Sequence, residues 1–347
     1  MTTGDEDRAR EAFEEGNRLF DAGDFDGALA AYDGVLLLRA DDPDTLNNRG
    51  NALNKLGRYE EALAAYDRSL ELRPDDAHTV SNRGSALREL GRNEEALAAY
   101  DHALELHPDD PVTLSDRGVE LVSLGRQGEA LAAYDRSLAL RPDDPDTVSN
   151  RGVALGGVGR HEEALTAHNR SLELRPDDPR VHYNRGVTLG SLGRNEEALA
   201  AYARALELRP DDPVALSNRG VELVNGGHYG EALAAFDRSL ALYPDDPNVL
   251  NNRGNVLCGL GRNEEALAAY GRSLELRPDD PATLDNRSNA LSGLGRHEEA
   301  LAAYDRALKL RPDDPVTLNN RGVALAGLGR YRQAIRSYER AIRAYGQ

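Results

Sequence analysis

The 347-residue chain contains no tryptophan, one cysteine (Cys258), one methionine and two lysines (Lys55 and Lys309). A lone cysteine excludes an internal disulfide framework and any CxxC metal or redox motif, which fits a reducing compartment. No run of 18 apolar residues occurs, and the opening MTTGDEDR holds no apolar h-region. The sequence therefore predicts neither a membrane span nor a signal peptide, and a cytoplasmic protein without a membrane partner. Lysine is so rare that arginine supplies almost all of the 42 basic charges, against 60 acidic ones. The net charge of −18 would repel a polyanion, so nucleic acid is not an expected partner. The acidity itself has two readings, solubility or adaptation to high salt. There is no glycine-rich phosphate loop in a strand-to-helix context, and no Ser/His/Asp set more ordered than chance. The expectation is a non-enzymatic chain with no cofactor, no catalytic residues and no metal site.

What the chain has in abundance is one pentapeptide. RPDDP stands at 141–145, 175–179, 209–213, 277–281 and 311–315, and the variants RADDP (39–43), RPDDA (73–77), HPDDP (107–111) and YPDDP (243–247) complete a 34-residue spacing. Self-similarity at a fixed period signifies a stacked array rather than two or three globular domains. Starting each unit at the second proline gives ten: 9–42, 43–76, 77–110, 111–144, 145–178, 179–212, 213–246, 247–280, 281–314 and 315–347, with residues 1–8 expected to form a disordered leader.

Within 43–76, apolar or small residues fall at unit positions 4, 8, 10, 11 and 14 and again at 20, 21, 24, 28 and 30, two helical patterns separated by Gly57-Arg58. Glycine holds position 15 in all ten units, where a first helix needs a left-handed residue to stop. Glu-Glu pairs such as Glu60-Glu61 follow, at the favourable positive end of a second helix. Each unit is a helix hairpin. In RPDDP the first proline ends a second helix, the second aspartate N-caps the next first helix, and the second proline takes the N1 place.

The unit resembles the tetratricopeptide repeat, whose large residues at 4 and 11, small residues at 8 and 20, aromatic at 24 and proline at 32 are matched here by Leu46, Leu53, Gly50, Ala62, Tyr66 and Pro74. The resemblance spans residues 9–347, with departures: no tryptophan at position 4, arginine at 7, Ser288 for the position-8 glycine and Ala40 for the closing proline. It implies an all-α fold, an α-solenoid wound as a right-handed superhelix, with first helices lining a concave face and second helices a convex one. The ends of such an array need special treatment. The first unit, with Phe13, Phe20 and Phe25, reads as one cap, and the arginine-rich RYRQAIRSYERAIR as a polar cap at the other end.

In this family, first-helix positions 2, 5, 6, 9, 12 and 13 face the groove. Position 6 reads Asn48, Asn82, Asp116, Asn150, Asn184, Asn218, Asn252, Asn286 and Asn320. A carboxamide offers a donor and an acceptor and can grip peptide backbone without reading side chains. First helices ~10 Å apart, against ~3.3 Å per extended residue, would give one such residue for about every three in a ligand. The row is similar to the asparagine ladder of the O-linked N-acetylglucosamine transferase family. A second reading, that each amide bonds the neighbouring repeat, stays open. Val119, Val153, Val187 and Val221 at position 9, extended by Val122 and Val224 at position 12, form a strip that suits an apolar ligand segment or close helix packing. Tyr183 and Arg180 could add an aromatic and a charged contact.

The nine position-7 arginines (Arg49 to Arg321) are turned about 100° from the amide row and are expected to pack against a neighbouring helix with their charge paired. No lysine stands at positions 2 or 5, which disfavours the family's clamp for a C-terminal carboxylate. His168 and His182 read as core substitutions. The expected partner is a protein or peptide of unknown identity. Self-association as a spacer or scaffold, and recruitment of substrate for a separately encoded glycosyltransferase, are the alternatives.

Overall fold

The computed structural model describes residues 3–345, which form twenty α-helices with no strand among the described residues. They gather into two compact units, Met1–Pro176 and Asp177–Gln347, the boundary falling inside an RPDDP joint rather than at a break in the repeat register. Unit one holds α1 (Thr3–Asp21), α2 (Phe25–Leu38), α3 (Pro43–Lys55), α4 (Tyr59–Leu72), α5 (Ala77–Glu89), α6 (Asn93–Leu106), α7 (Pro111–Ser123), α8 (Gln127–Leu140), α9 (Pro145–Gly157) and α10 (His161–Leu174). Unit two holds α11 (Pro179–Ser191), α12 (Asn195–Leu208), α13 (Pro213–Asn225), α14 (Tyr229–Leu242), α15 (Pro247–Gly259), α16 (Asn263–Leu276), α17 (Pro281–Gly293), α18 (His297–Leu310), α19 (Pro315–Gly327) and α20 (Tyr331–Tyr345). Within each unit every odd-numbered helix packs on the even one that follows and on the next odd one, and every even helix on the next odd one, the stacking of an α-solenoid.

The joints explain the pentapeptide. All ten position-15 glycines have φ between +71° and +81°, which terminates each odd helix. The second aspartate of each joint accepts from backbone N–H groups of the following first turn, as Asp110 does from Val112 (3.4 Å) and Thr113 (3.0 Å). In seven of the nine joints the first aspartate also has a partner, an arginine on the next repeat's even helix, as in Arg68 with Asp41 (2.5 Å), Arg136 with Asp109 (2.9 Å) and Arg272 with Asp245 (2.8 Å). In the five repeats with serine at position 27, a bond the sequence did not announce closes the hairpin from the other side. Position-27 serines donate to the carbonyl of the helix-opening proline, Ser69 to Pro43 and Ser239 to Pro213, both at 2.8 Å.

The core of each repeat is an aromatic ring laid on a glycine. A Cβ placed on Gly84 would come within 2.9 Å of Tyr100, and one on Gly220 within 2.7 Å of Phe236. His168 occupies the same slot against Gly152 and is buried, as a core substitution would be. Ser288 fits in place of glycine by turning its hydroxyl to the Leu284 carbonyl, 2.6 Å away.

Both chain ends differ from expectation. Residues 3–8, read as a disordered leader, are helical: α1 begins at Thr3 with Asp5 and Glu6 in its first turn, and Arg8 and Arg10 bridge back to Asp5 (2.9 Å) and Asp7 (3.0 Å). Residues 1 and 2 lie outside the described residues. Helix α20, read as a polar cap, exposes Tyr331, Ile335, Ile342 and Tyr345. At about 100° per residue these four lie on one narrow stripe, and the α4 equivalents of Ile335 and Ile342, Leu63 and Leu70, pack into the apolar cluster shared with α5. At Ile335 and Ile342 the tenth repeat thus keeps the apolar packing positions of an internal repeat, with arginines between them.

Candidate functional site

The position-6 side chains are all half-buried on the odd helices. Asn48 donates from Nδ2 to Asn17 Oδ1 (3.0 Å), Asn82 to Asn47 (3.0 Å), Asn218 to the Tyr183 hydroxyl (2.8 Å), Asn286 to Asn251 (3.1 Å) and Asn320 to Asn289 (3.0 Å). In each case the acceptor sits at position 5 or 9 of the preceding repeat's odd helix. Asn150, Asn184 and Asn252 occupy the equivalent place on α9, α11 and α15. In unit one the amides link into a relay: Asn82 to Asn47, Asn47 to Asn48 (3.3 Å), Asn48 to Asn17, whose Oδ1 also accepts from Tyr32 (2.8 Å). A depression of about 330 Å³ opens there, lined by Asn17, Phe20, Asp21, Tyr32, Asn48 and Asn51.

The lateral bond uses one amide hydrogen. The second N–H remains, and at Asn82, Asn218 and Asn286 the Oδ1 atom has no hydrogen bond among the described residues. Each such amide is held in a fixed orientation with one donor and one acceptor still to satisfy. Asp116 departs from the row: its Oδ1 accepts from the Arg88 guanidinium at 2.9 Å, and burial raises its pKa despite that cation. It is engaged within the array.

Position 9 answers to position 24. Tyr32, Tyr66, Tyr270 and Tyr304 donate their hydroxyls to Asn17, Asn51, Asn255 and Asn289 at 2.6–2.8 Å, and Tyr100 meets Ser85 at 3.1 Å. A polar residue at position 9 therefore serves a buried tyrosine fifteen residues later, a pairing visible in the sequence only once both helices are superposed. Where position 9 is valine the strip divides. Val119 and Val221 are half-buried against neighbouring core residues, with Val122 and Val224 beside them. Val153 and Val187 stay open, 41% and 39% exposed. Tyr183 is half-buried with its ring 5.9 Å from that of Tyr202, and Arg180 is exposed, 3.7 Å from Asp178.

The position-7 arginines behave as packing residues. Arg49, Arg83, Arg117, Arg151, Arg253 and Arg321 each place Nε 2.5–2.6 Å from an aspartate of the preceding repeat's even helix. At Arg219 the corresponding residue is Ala203, and the buried Nε has no hydrogen-bond partner. Two buried glutamates went unread in the sequence, Glu120 and Glu222. Their signal was there, a charged residue at position 10, which is alanine, threonine or valine in the other repeats from the second onward.

Comparison with known proteins agrees with this architecture. Tetratricopeptide repeat models match residues 43–76, 75–143, 149–213, 213–246, 245–313 and 282–347, and a TPR repeat model matches 16–57. No curated protein matches the sequence. Among solved structures, a tetratricopeptide repeat protein from Parabacteroides merdae is 19% identical, with 72% of this chain and 99% of that one covered and a TM-score of 0.58. YrrB, described as a TPR protein with an unusual peptide-binding site, is 27% identical over 54% of this chain and 96% of its own, with a TM-score of 0.44. MamA from Desulfovibrio magneticus is 21% identical over 48% and 95%, at 0.45. With the repeat models spanning most of its length and the ring-on-glycine hairpin recurring throughout, the chain belongs to the tetratricopeptide repeat family.

Proposed function

We propose that the protein is a non-enzymatic adaptor that binds an extended peptide segment along its odd-numbered helices. The repeat fold supports a scaffold for protein–protein interaction. The reading of a peptide ligand is carried by one observation: the position-6 amides are anchored sideways by their neighbours yet keep an N–H and, at Asn82, Asn218 and Asn286, an oxygen unsatisfied. Pre-oriented groups of this kind lose little freedom on binding. Peptide backbone presents the matching C=O and N–H, and the exposed Val153 and Val187 suit apolar side chains between them.

The test is a variant that separates the lateral bond from the ligand bond. Asn→Asp at 82, 218 and 286 removes the N–H groups offered to a ligand, while Tyr183 or a flipped neighbouring amide can still donate sideways to the new carboxylate. Against capped peptides selected from an extended-peptide library, the triple variant is expected to bind at least tenfold more weakly with unchanged thermal unfolding. Equal affinity would refute the amide row as the contact.

A further inference from the structure

Glu120 and Glu222 hold the same repeat position and are both buried, 0% and 9% exposed. Each lies against position 12 of the preceding repeat's odd helix, and there the two sites part. Across from Glu120 stands Arg88, its guanidinium 4.0 Å from Oε1 and 2.9 Å from Asp116. The residue across from Glu222 is Gly190, and a Cβ there would come within 2.5 Å of Oε1, so the carboxylate lies directly over the glycine. Its hydrogen bonding among the described residues is limited to a long contact from Asn225 Nδ2 at 3.4 Å. The last turn of α5 contains Arg88, whereas the last turn of α11 contains no basic residue. The partial negative charge of the α11 carbonyl end and the Glu222 carboxylate therefore face the same small volume with no cation between them, an arrangement that costs free energy until one arrives.

We propose that this seam binds one cationic side chain of a docked peptide, arginine in particular, with the guanidinium taking the place that Arg88 fills beside Glu120. The inference rests on the groove reading for the peptide that delivers the arginine. Asn218 stands one helical turn before Glu222 on the same face of α13, so a backbone gripped by the amide row passes the carboxylate. After burial, Tyr183 and then Glu222 raise the pKa of the Tyr202 hydroxyl, which sets the carboxylate's charge within electrostatic reach of that ring. A carboxylate is matched bidentately by the planar guanidinium fork, better than by a compact ammonium.

The full-length protein, labelled with 15N-glycine, is to be titrated at 150 mM salt with N-acetylarginine amide and with its neutral isostere N-acetylcitrulline amide, following the Gly190 amide. Arginine is expected to bind at least tenfold more tightly. Glu222→Gln should reduce that preference to less than twofold, and Glu120→Gln should leave it intact because Arg88 already fills the other seam. Arg88→Gly should open that seam and raise the arginine stoichiometry from one to two. Equal responses to the two compounds, or an arginine preference that survives Glu222→Gln, would overturn the proposal. Capped seven-residue peptides with central arginine or citrulline separate the two readings. If neither binds more tightly than the single residue, the groove fails and the cation site stands. If both bind tightly and equally, the groove stands and the cation site fails.

Discussion

Glu120→Ala installs at position 10 the residue that the second, third and fifth repeats already carry there, Ala52, Ala86 and Ala154. Both Glu120 carboxylate oxygens are buried without a hydrogen bond. Burial raises the pKa, Arg88 opposes the rise, and Asp116 and Glu89 add to it. For an acid whose folded pKa is raised, the favourable contribution is present below the unfolded pKa and is lost as pH rises through the folded one. The wild type therefore bears the penalty once pH has risen through the folded pKa. Removing the group is expected to stabilise the protein by about 1–3 kcal/mol at pH 7, and the gain should vanish below the ordinary glutamate range of about 4. Urea midpoints at pH 7 and pH 4 read this directly, and a variant less stable than wild type at pH 7 would mean that the Arg88 contact outweighs burial. At this scale the sequence was half legible. Gly50 and Tyr66 announce a packing contact because no other pairing of residues needs a glycine inside a helix. Asn48 announces only that it can hydrogen-bond. Whether its Nδ2 meets Asn17 or a ligand depends on the offset between two helices, which no residue type encodes.

Helices were legible because their ends carry chemistry at fixed places: the left-handed glycine, the capping aspartate, the N1 proline. Helix α1 was missed upstream of the repeat because no proline or capping aspartate precedes it, and a strongly acidic segment reads as solvated chain. Helix α20 was misread because its arginines dominate the composition while the stripe of Tyr331, Ile335, Ile342 and Tyr345 sets the geometry. Ile335 and Leu63 occupy the same position of the repeat, 55% and 7% exposed. Ile335→Glu is expected to change stability by no more than about 0.5 kcal/mol. Leu63→Glu places a charge in the seam against α5 and is expected to cost more than about 4 kcal/mol. Comparable losses in urea unfolding would show that α20 is covered in solution as α4 is within the chain.

For the whole molecule the question is which electrostatic effect governs stability, contact pairing or the surplus of 18 negative charges. Six of the nine position-7 arginines are paired at 2.5–2.6 Å, and position-26 arginines meet the first aspartate of the joint at 2.5–3.3 Å. All but the longest of these distances are shorter than the Debye length even at molar salt, about 3 Å at 1 M, so added salt weakens them little. Exposed pairs contribute at most about 1 kcal/mol each in any case. Repulsion among the surplus carboxylates acts between repeats, over ~10 Å and more, within the ~30 Å screening length at 0.01 M but beyond the ~8 Å one at 0.15 M. The longer-range term is therefore the one that salt removes. Thermal midpoints should rise between 10 mM and about 200 mM NaCl and then level off, as the screening length falls below the repeat spacing. A midpoint that falls over that interval would mean that contact pairs outweigh the net charge. One that keeps rising beyond about 1 M, where screening is already complete, would identify the acidity as an adaptation to high salt rather than a solubility device.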